Sequence, residues 1–449
     1  MESGNAGGWR NQVGARIRAY PYSILGAVLG LALLVPFFRH DQDWVSVYMP
    51  AAERLRTGQD VFSNEFVYPP VNGLLPIPFL DLPRVPAKLA WLALNVIAFT
   101  VLVRGAWKLA GGGPLDGTPG VAGREHLIYW IGLGCGVCSC VDVITNEQTD
   151  LMIAALVIVG CSALVNGRDW RAGVWFGIAA GIKCTPLLFA PYLAWRKRWV
   201  AAGLVAAVAA AINVLPDVIY PPADGNLRVT RWVSRYLTPM TGETYDVGTW
   251  ACGIGGNQSL AGFCQRVLIY DAEWNGEDLD VTTKPNRMDA QTLKVVVAGA
   301  VLVVLLVAVA FSWRGMRNRK GETNTETTSP LAIECGMVVA LMVLFSPHSS
   351  KPHFCTLMLP GFCVARAALE RGSRWMLAIA LGAVMCAVVS NKDLVGSQVF
   401  AWAKWYASLA WSAMLLLAGS CLVLVQRKAA DNAGAAPVEE PESNLRQAA

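Results

Sequence analysis

Long apolar runs alternate with short polar connections along most of the chain, which is the pattern of repeated membrane spans. Several runs are shorter than the roughly 20 residues that a full span needs. The pattern predicts an all-α polytopic membrane protein. The predicted spans are 23–38, 88–107, 127–144, 150–166, 199–216, 293–313, 331–346, 354–367, 374–391 and 404–425.

The segment 171–195 is also apolar, but Lys183 and the three residues after it interrupt it. Basic residues flank this segment at both ends, at Arg171 and at 196–198. One straight helix would place the two basic ends on opposite sides of the membrane, against the positive-inside rule. We therefore predict a broken hairpin, in which two half-length helices meet near Lys183 and return the chain to the same side.

With the hairpin counted as two pieces, the chain has about twelve predicted membrane segments. The basic clusters then all fall on the cytoplasmic side, together with segment 1–22 and the polar, disordered tail 427–449. Residues 23–426 form one membrane domain. Its outer loops are 39–87, 217–292 and 346–353, and the Pro-rich stretch 68–83 is predicted to be re-entrant or surface-lying.

Composition supports a membrane protein and argues against a nucleic-acid partner. The chain is 54% hydrophobic and 15% charged, whereas a soluble chain carries about 25% charged residues. The net charge of +5 comes from small clusters beside apolar segments, where membrane orientation explains it. Most of the twelve Cys lie inside apolar runs as small packing residues. Cys252 and Cys264 fall in a polar loop, where a disulfide is open but not required.

Two carboxylates follow the first predicted span, Asp41 and Asp43. An acid at the membrane–water boundary can act as a base while the apolar wall beside it holds a lipid. Plain solvation of a loop carboxylate is the alternative. The amphipathic pattern that follows, which includes Tyr48, indicates a structured loop around the acids.

Amide and hydroxyl groups gather at two further outward positions. The turn 146–150 contains Gln148 and suits sugar hydroxyls as well as it suits a hydrated hairpin tip. Asn257, Gln258 and Ser259 follow a Gly turn, where helix capping explains one of them but not all three. Asp142 lies inside an apolar run and must find a partner or a water-filled cavity.

Cationic groups form two candidate phosphate sites. Arg228, Arg231 and Arg235 recur at helical spacing with apolar residues between them, which favours an interfacial helix that meets lipid phosphates. His348, Lys351 and His353 lie within one outward turn. Such a turn can face a phosphate or a leaving oxyanion.

Motifs for nucleotides and metals are not found in the sequence: it has no Walker A loop, no dinucleotide glycine pattern and no HExxH helix. It also has no dense Asp-x-Asp motif of the kind that nucleotide-sugar enzymes use for a metal. We predict no cofactor and no metal requirement.

These stretches, in this order, resemble the membrane-embedded GT-C glycosyltransferases. The resemblance is strongest to glycosyltransferase family 87, the polyprenyl-phosphate-mannose-dependent mannosyltransferases, and covers roughly 20–425. It is carried by Asp43–Ala52 with Gly58, Phe66–Pro70, Glu147-Gln148, Gly181–Leu188 with Arg196–Arg198, Gly256–Ser259 and Ser346–His353.

The resemblance implies a GT-C-like fold in a bacterial cytoplasmic membrane, with an active site on its outer face. The donor would be a polyprenyl-phosphate sugar, most readily mannose, and the acceptor a hydroxyl of a lipid or glycan. Asp43 would be the general base of an inverting single displacement, with Asp41 the less favoured neighbour. His353 would be the second catalytic residue, although the family's usual pair of His is here Pro352-His353. Substrate binding would fall to Asp41, Tyr48, Gln148, Lys183, Asn257, Gln258, Ser259, His348 and Lys351, and lipid phosphate to Arg228, Arg231 and Arg235.

A secondary transporter is the alternative. Transporters use broken helices and buried charges near the membrane midplane, as Lys183 and Asp142 suggest. The polar residues of this chain gather at one face instead, which favours the enzyme.

Overall fold

A computed structural model describes residues 25–38, 43–62, 66–115, 119–237, 255–274, 279–281, 288–316 and 328–434. Within these ranges the protein is almost entirely helical. The helices are α1 (Leu25–Phe38), α2 (Met49–Arg56), α3 (Arg84–Leu109), α4 (Pro119–Gly134), α5 (Val137–Thr145), α6 (Asp150–Val165), α7 (Asp169–Ile182), α8 (Phe189–Trp195), α9 (Trp199–Ile219), α10 (Arg228–Trp232), α11 (Leu260–Ile269), α12 (Ala290–Met316), α13 (Pro330–Phe345), α14 (Met358–Glu370), α15 (Arg374–Val388), α16 (Lys392–Trp405) and α17 (Ser408–Gly434).

The prediction of a membrane protein with many apolar helices is confirmed, but twelve spans are not. In the part of the chain that the structure describes, four helices are long and apolar enough to cross a bilayer by themselves: α3, α9, α12 and α17. Two bent pairs, α4 with α5 and α15 with α16, would raise this number to six. Others, such as α6 and α13, are apolar but shorter than a full span.

The broken hairpin is confirmed. Helix α7 ends at Ile182, Lys183 has extended backbone angles, and a 3₁₀ turn at Thr185–Leu188 leads into α8. An ion pair joins Asp169, at the start of α7, to Arg198, just after α8. Both ends of the hairpin therefore lie at the same level, and the break at Lys183 lies at the far tip.

Helix α7 packs closely on α9 through a row of glycines four residues apart. A Cβ atom added at Gly173 would lie 2.6 Å from the Ala201 carbonyl oxygen, and one added at Gly177 would lie 2.7 Å from the Val208 Cβ. Small residues at this spacing let two helix backbones approach, as in other membrane helix pairs. The contact fixes the direction in which the tip of the hairpin points.

The tip of the hairpin is also held by hydrogen bonds to the first loop. The Asn213 side chain of α9 donates to the Gly181 carbonyl oxygen at 3.1 Å and accepts from the Val71 amide at 3.1 Å. Val71 belongs to a 3₁₀ turn, Pro70–Leu74, which is followed by a second at Ile77–Phe79. The stretch 68–83 thus consists largely of short 3₁₀ turns rather than a spanning helix, and Pro70–Gly73 are buried in the protein. The prediction that this stretch is re-entrant or surface-lying stays a prediction.

Three features differ from the sequence prediction. A short antiparallel hairpin, β1 (Ala272–Trp274) and β2 (Leu279–Val281), interrupts the all-α expectation inside the outer loop 217–292. Helix α16 turns 95° away from α15 and has a break at Gly396 (φ +79°), where the sequence predicted only a connection between the spans 374–391 and 404–425. Helix α17 continues to Gly434, into the segment predicted to be a disordered tail. Cys252, half of the disulfide considered above, lies outside the described residues, and Cys264 is a free thiol.

Candidate functional site

The loop after α1 presents Asp43 at the start of a short π-helix, Trp44–Tyr48. Trp44 is buried against Trp91 of α3, with ring centroids 4.3 Å apart. This aromatic contact fixes the residue after Asp43 to the membrane domain. Asp41, the other acid of the predicted pair, lies outside the described residues.

Gln148, in the turn between α5 and α6, donates a hydrogen bond from Nε2 to Asp43 Oδ2 at 2.5 Å. Burial raises the pKa of Asp43 above its usual range, and the nearby Asp150 adds to this effect. The bond from Gln148 opposes the rise by stabilising the charged form. The result is a carboxylate that is partly withdrawn from water, more basic than usual, and fixed in direction.

The neighbouring Glu147 explains how that turn is held. Glu147 has φ +55°, which is rare for a residue with a side chain, and its carboxylate is fully buried 3.2 Å from Lys88 Nζ. Trp91 Nε1 also donates to the Glu147 carbonyl oxygen at 2.9 Å. The turn is therefore pinned to α3, and Gln148 faces Asp43. The sequence analysis did not single out Lys88.

Lys183, at the tip of the broken hairpin, meets Asp150 and His353. Lys183 Nζ lies 2.8 Å from Asp150 Oδ1 and also hydrogen-bonds His353 Nε2. These three residues come from α6, the hairpin and the 3₁₀ turn Lys351–Leu357. The structure thus brings together two of the predicted site residues, Lys183 and His353, with an acid that the sequence analysis placed in the turn but did not assign to the site.

His353 is a neutral imidazole in this arrangement. Burial and the charge of Lys183 together lower the pKa of His353 well below its usual value. An ammonium group only donates, so Nε2 accepts from Lys183 and the ring proton lies on Nδ1. The cation of the cluster is therefore Lys183. The prediction that the His353 ring donates to a phosphate stays a prediction, and it would use Nδ1–H.

A small cavity of about 20 Å³, room for about one water molecule, lies beside this cluster. Its polar wall includes Asp150, Lys183 and His353, and its apolar wall includes Ile153 and Met342. Polar and apolar side chains therefore meet in one small space beside Lys183.

Two tyrosines close the site on the side of the first loop. Tyr48 is fully buried and its hydroxyl donates to the Tyr68 hydroxyl at 3.2 Å. Lys183 Nζ lies 5.7 Å from the centre of the Tyr68 ring. Burial raises the pKa of Tyr48, so its hydroxyl keeps its proton and its bond to Tyr68. Both features favour a packing role for Tyr48. Tyr68, which the sequence analysis left without a role, is the ring that faces the cation.

Lys351 lies apart from Lys183, although His348, Lys351 and His353 share one turn of sequence. Its ammonium group lies 2.6 Å from Asn391 Oδ1 and 3.7 Å from Asp142 Oδ1. The rings of His348 and His353 are 6.3 Å apart, and burial lowers the pKa of His348 to about 4. The single cation-rich turn expected from sequence is therefore two separate groups.

Asn257, Gln258 and Ser259 hold the loop that carries the histidines. Asn257 donates from Nδ2 to the Pro347 carbonyl oxygen at 2.9 Å, and its Oδ1 accepts from the Ser349 amide at 3.1 Å. Gln258 Nε2 donates to the Lys404 carbonyl oxygen at 2.9 Å, while Ser259 caps α11. Most of their polar atoms bond to the backbone, whereas Gln258 Oε1 is buried without a hydrogen-bond partner in the described part of the chain. Substrate contact by these residues stays a prediction.

The three arginines of the second outer loop do not share one environment. Arg228 is 1% exposed and its Nη1 lies 2.7 Å from Asp217 Oδ1, at the end of α9. The buried Asp217 needs a counter-charge, which takes Arg228 out of the interface. Arg231 pairs with Asp224, and Arg235 lies 4.0 Å from Asp60, both with partly exposed side chains. The contact of Arg231 and Arg235 with lipid phosphates stays a prediction.

No group of three or more His, Cys, Asp or Glu side chains lies close enough to hold a metal ion among the residues that the structure describes. Among the described residues, the site offers a basic carboxylate, Asp43, and an ammonium group, Lys183. Both belong to the same end of the helical bundle.

Comparison with known proteins identifies the family. The model of glycosyltransferase family 87 matches residues 66–347, so the chain belongs to this family. The match spans the turn that carries Gln148 and the hairpin tip that carries Lys183. Membership argues against the transporter alternative.

Two curated relatives carry the same description, polyprenol-phosphate-mannose-dependent α-(1-2)-phosphatidylinositol pentamannoside mannosyltransferase. The protein from Mycolicibacterium smegmatis is 28% identical over 47% of this chain and 46% of its own length. The protein from Mycobacterium tuberculosis is 26% identical over 47% of this chain and 44% of its own. The chain thus aligns with about half the length of the curated relatives that it matches.

A solved structure is similar at a lower level. It is ArnT from Cupriavidus metallidurans bound to undecaprenyl phosphate, with a TM-score of 0.40 and 13% identity. The similarity covers 93% of this chain and 79% of that chain.

Proposed function

We propose that this protein transfers a sugar, mannose in the first instance, from a polyprenyl-phosphate donor to an acceptor hydroxyl on the outer face of a bacterial cytoplasmic membrane. The observation that carries the proposal is that a basic carboxylate, Asp43, and an ammonium group, Lys183, lie at the same end of an apolar bundle. Relatives described as polyprenol-phosphate-mannose-dependent support the donor class.

Asp43 acts as the general base. It accepts the proton of the acceptor hydroxyl as that oxygen attacks the anomeric carbon of the donor. The bond from this carbon to the phosphate oxygen breaks on the opposite face, so the configuration is inverted. The burial that makes Asp43 more basic supports this role.

Lys183 binds the donor phosphate and stabilises the polyprenyl phosphate as it leaves. Asp150 and His353 hold its ammonium group in place with one hydrogen bond each, which leaves a third N–H for the phosphate. A leaving phosphate held by a fixed cation does not need a proton. The metal-independent chemistry predicted from sequence follows from the same argument.

An apolar groove that could hold the lipid tail of the donor lies near the cavity beside Lys183. A groove of about 320 Å³ runs between α8, α12 and α13 and is lined by residues such as Leu188, Leu305 and Leu341. It begins within a few residues of Thr185 and Met342, which line the cavity beside Lys183. A chain that leaves the polar cavity along α13 would enter this groove.

The test uses the purified protein in detergent or proteoliposomes, with a polyprenyl-phosphate sugar carrying a radiolabel and a set of lipid and glycan acceptors. We expect transfer from polyprenyl-phosphate mannose, with a product of inverted anomeric configuration by NMR and full activity in excess EDTA. Retained configuration would overturn the single displacement. Loss of activity in EDTA with rescue by Mg²⁺ or Mn²⁺ would overturn metal independence.

A further inference from the structure

Three elements far apart in sequence bring a second polar group to the same end of the bundle. Asp142 lies on α5, Lys351 begins the 3₁₀ turn Lys351–Leu357, and Asn391 precedes α16. The Lys351 ammonium group joins them, at 2.6 Å from Asn391 Oδ1 and 3.7 Å from Asp142 Oδ1. The mechanism proposed above uses none of the three.

This group is more open to solvent than the group around Lys183. The side chains of Asp142 and Lys351 are 26% and 22% exposed, whereas those of Asp150 and Lys183 are 6% and 14% exposed. The ion pair is also looser, at 3.7 Å against 2.8 Å. A loose, partly exposed pair keeps N–H donors and carboxylate oxygens that a ligand can use.

The position of Asp43 relates the two groups. The charges of Asp150, Lys183 and Asp142 all act on the Asp43 carboxylate, so members of both polar groups lie near it. The base of a sugar transfer must contact the acceptor hydroxyl. The donor phosphate is assigned to Lys183, which leaves the group around Lys351 for the acceptor.

We infer that Asp142, Lys351 and Asn391 form an acceptor subsite, which binds hydroxyl groups of the acceptor's sugar or polyol and presents one of them to Asp43. A carboxylate, an amide and an ammonium group together supply the mixed donors and acceptors that vicinal hydroxyls need. The inference rests on the proposed function. It also gives Lys351 a role different from the phosphate contact suggested by its place beside His353 in the sequence.

Steady-state kinetics with purified full-length protein test this subsite, with acceptor and donor varied separately. The informative variants are Asp142→Asn and Lys351→Met, because each removes a charge with little change in volume. We expect each to raise the apparent KM for the acceptor by roughly tenfold or more, since a hydrogen bond to a charged group is lost. The apparent KM for the donor, and the slow release of free sugar when water is the only acceptor, should stay within about twofold of the wild type.

The matched controls are Asp393→Asn and Lys392→Met, exposed residues beside Asn391 that should leave both constants unchanged. The inference is overturned if Asp142→Asn and Lys351→Met keep the acceptor KM and lower turnover on water and acceptor alike. That outcome would show that Asp142 and Lys351 only stabilise the turn that holds His353. If the wild type transfers no sugar at all, the proposed function fails instead. A thermal unfolding curve for each variant excludes a folding defect as the cause.

Discussion

Gln148 donates a hydrogen bond to Asp43 across the gap between the first loop and the turn that joins α5 to α6. The two residues are 105 positions apart in the chain. The bond fixes the direction of the carboxylate and favours its charged form, while burial favours the neutral form. The reactivity of Asp43 is therefore set by a balance that substitution and pH can both shift.

The pH dependence of transfer should report Asp43. A general base works when deprotonated, so activity is present above the raised pKa of Asp43 and is lost as the pH falls through it. This acidic limb should lie above about 3.9, the ordinary value for Asp. His353 is already neutral near pH 7, so its titration adds no loss near its ordinary value of about 6.5. The measurement is kcat/KM against pH, and an acidic limb near pH 6.5 that vanishes in His353→Gln would contradict this assignment.

Gln148→Ala should move the same limb to higher pH. The variant removes the bond that stabilises charged Asp43, so the pKa of the carboxyl rises further. Well above the limb, turnover should recover in part, because the base itself is intact. Gln59→Ala, which removes an exposed side-chain amide in the same loop region, is the control and should leave the profile in place. An unshifted profile in Gln148→Ala would show that the bond does not tune Asp43.

Lys183→Met should weaken donor binding and slow transfer by about 10²–10³-fold, as for other groups that stabilise a leaving oxyanion. It also leaves Asp150 buried without its partner, so the double variant with Asp150→Asn separates the two effects. The double variant should recover thermal stability but not activity. Lys197→Met, an exposed lysine at the other end of the hairpin, should behave as wild type. Recovery of activity in the double variant would show that Lys183 does not stabilise the leaving phosphate.

Gly177→Ala should destabilise the bundle. The new Cβ would lie 2.7 Å from Val208 Cβ, so α7 and α9 must separate, and overpacking of this kind typically costs 1–3 kcal/mol. Gly203→Ala on α9 is the matched control, since nothing lies within 4 Å of its added Cβ. The control should unfold at the same temperature as the wild type or slightly above it, because Ala favours helix. Equal unfolding temperatures for the two variants would contradict the close approach of α7 and α9.

The sequence predicted most of the membrane helices because a long apolar run has few alternatives in a bilayer. The hairpin at Lys183 was predictable for a second reason, namely that basic residues at both ends required a return to the same side. Helix α16 was not predicted. Its short apolar stretch carries Lys392, Asp393 and Gly396 and has no period that distinguishes it from a loop.

The candidate site was harder to predict, because it depends on contacts across the chain. Sequence analysis selected Asp43, Lys183 and His353 individually. It could not show that Lys183 meets Asp150, or that Lys351, two residues from His353, turns to Asp142 instead. The interfacial position predicted for Arg228 differs from the structure for a similar reason. Its spacing fits an interfacial helix, but its guanidinium group pairs with the buried carboxylate of Asp217.

Transfer by the Asp43→Asn variant tests the central claim most directly. The substitution keeps the size and the hydrogen-bonding capacity of the side chain but removes the base. Assayed with polyprenyl-phosphate mannose and the acceptor of the wild type, it should lose about 10²–10⁴-fold in turnover. Its binding of polyprenyl phosphate and its unfolding temperature should stay close to wild type, because Lys183 and its partners are untouched. Near-normal turnover in Asp43→Asn, with loss in Asp41→Asn, would contradict the account and move the base to the neighbouring acid.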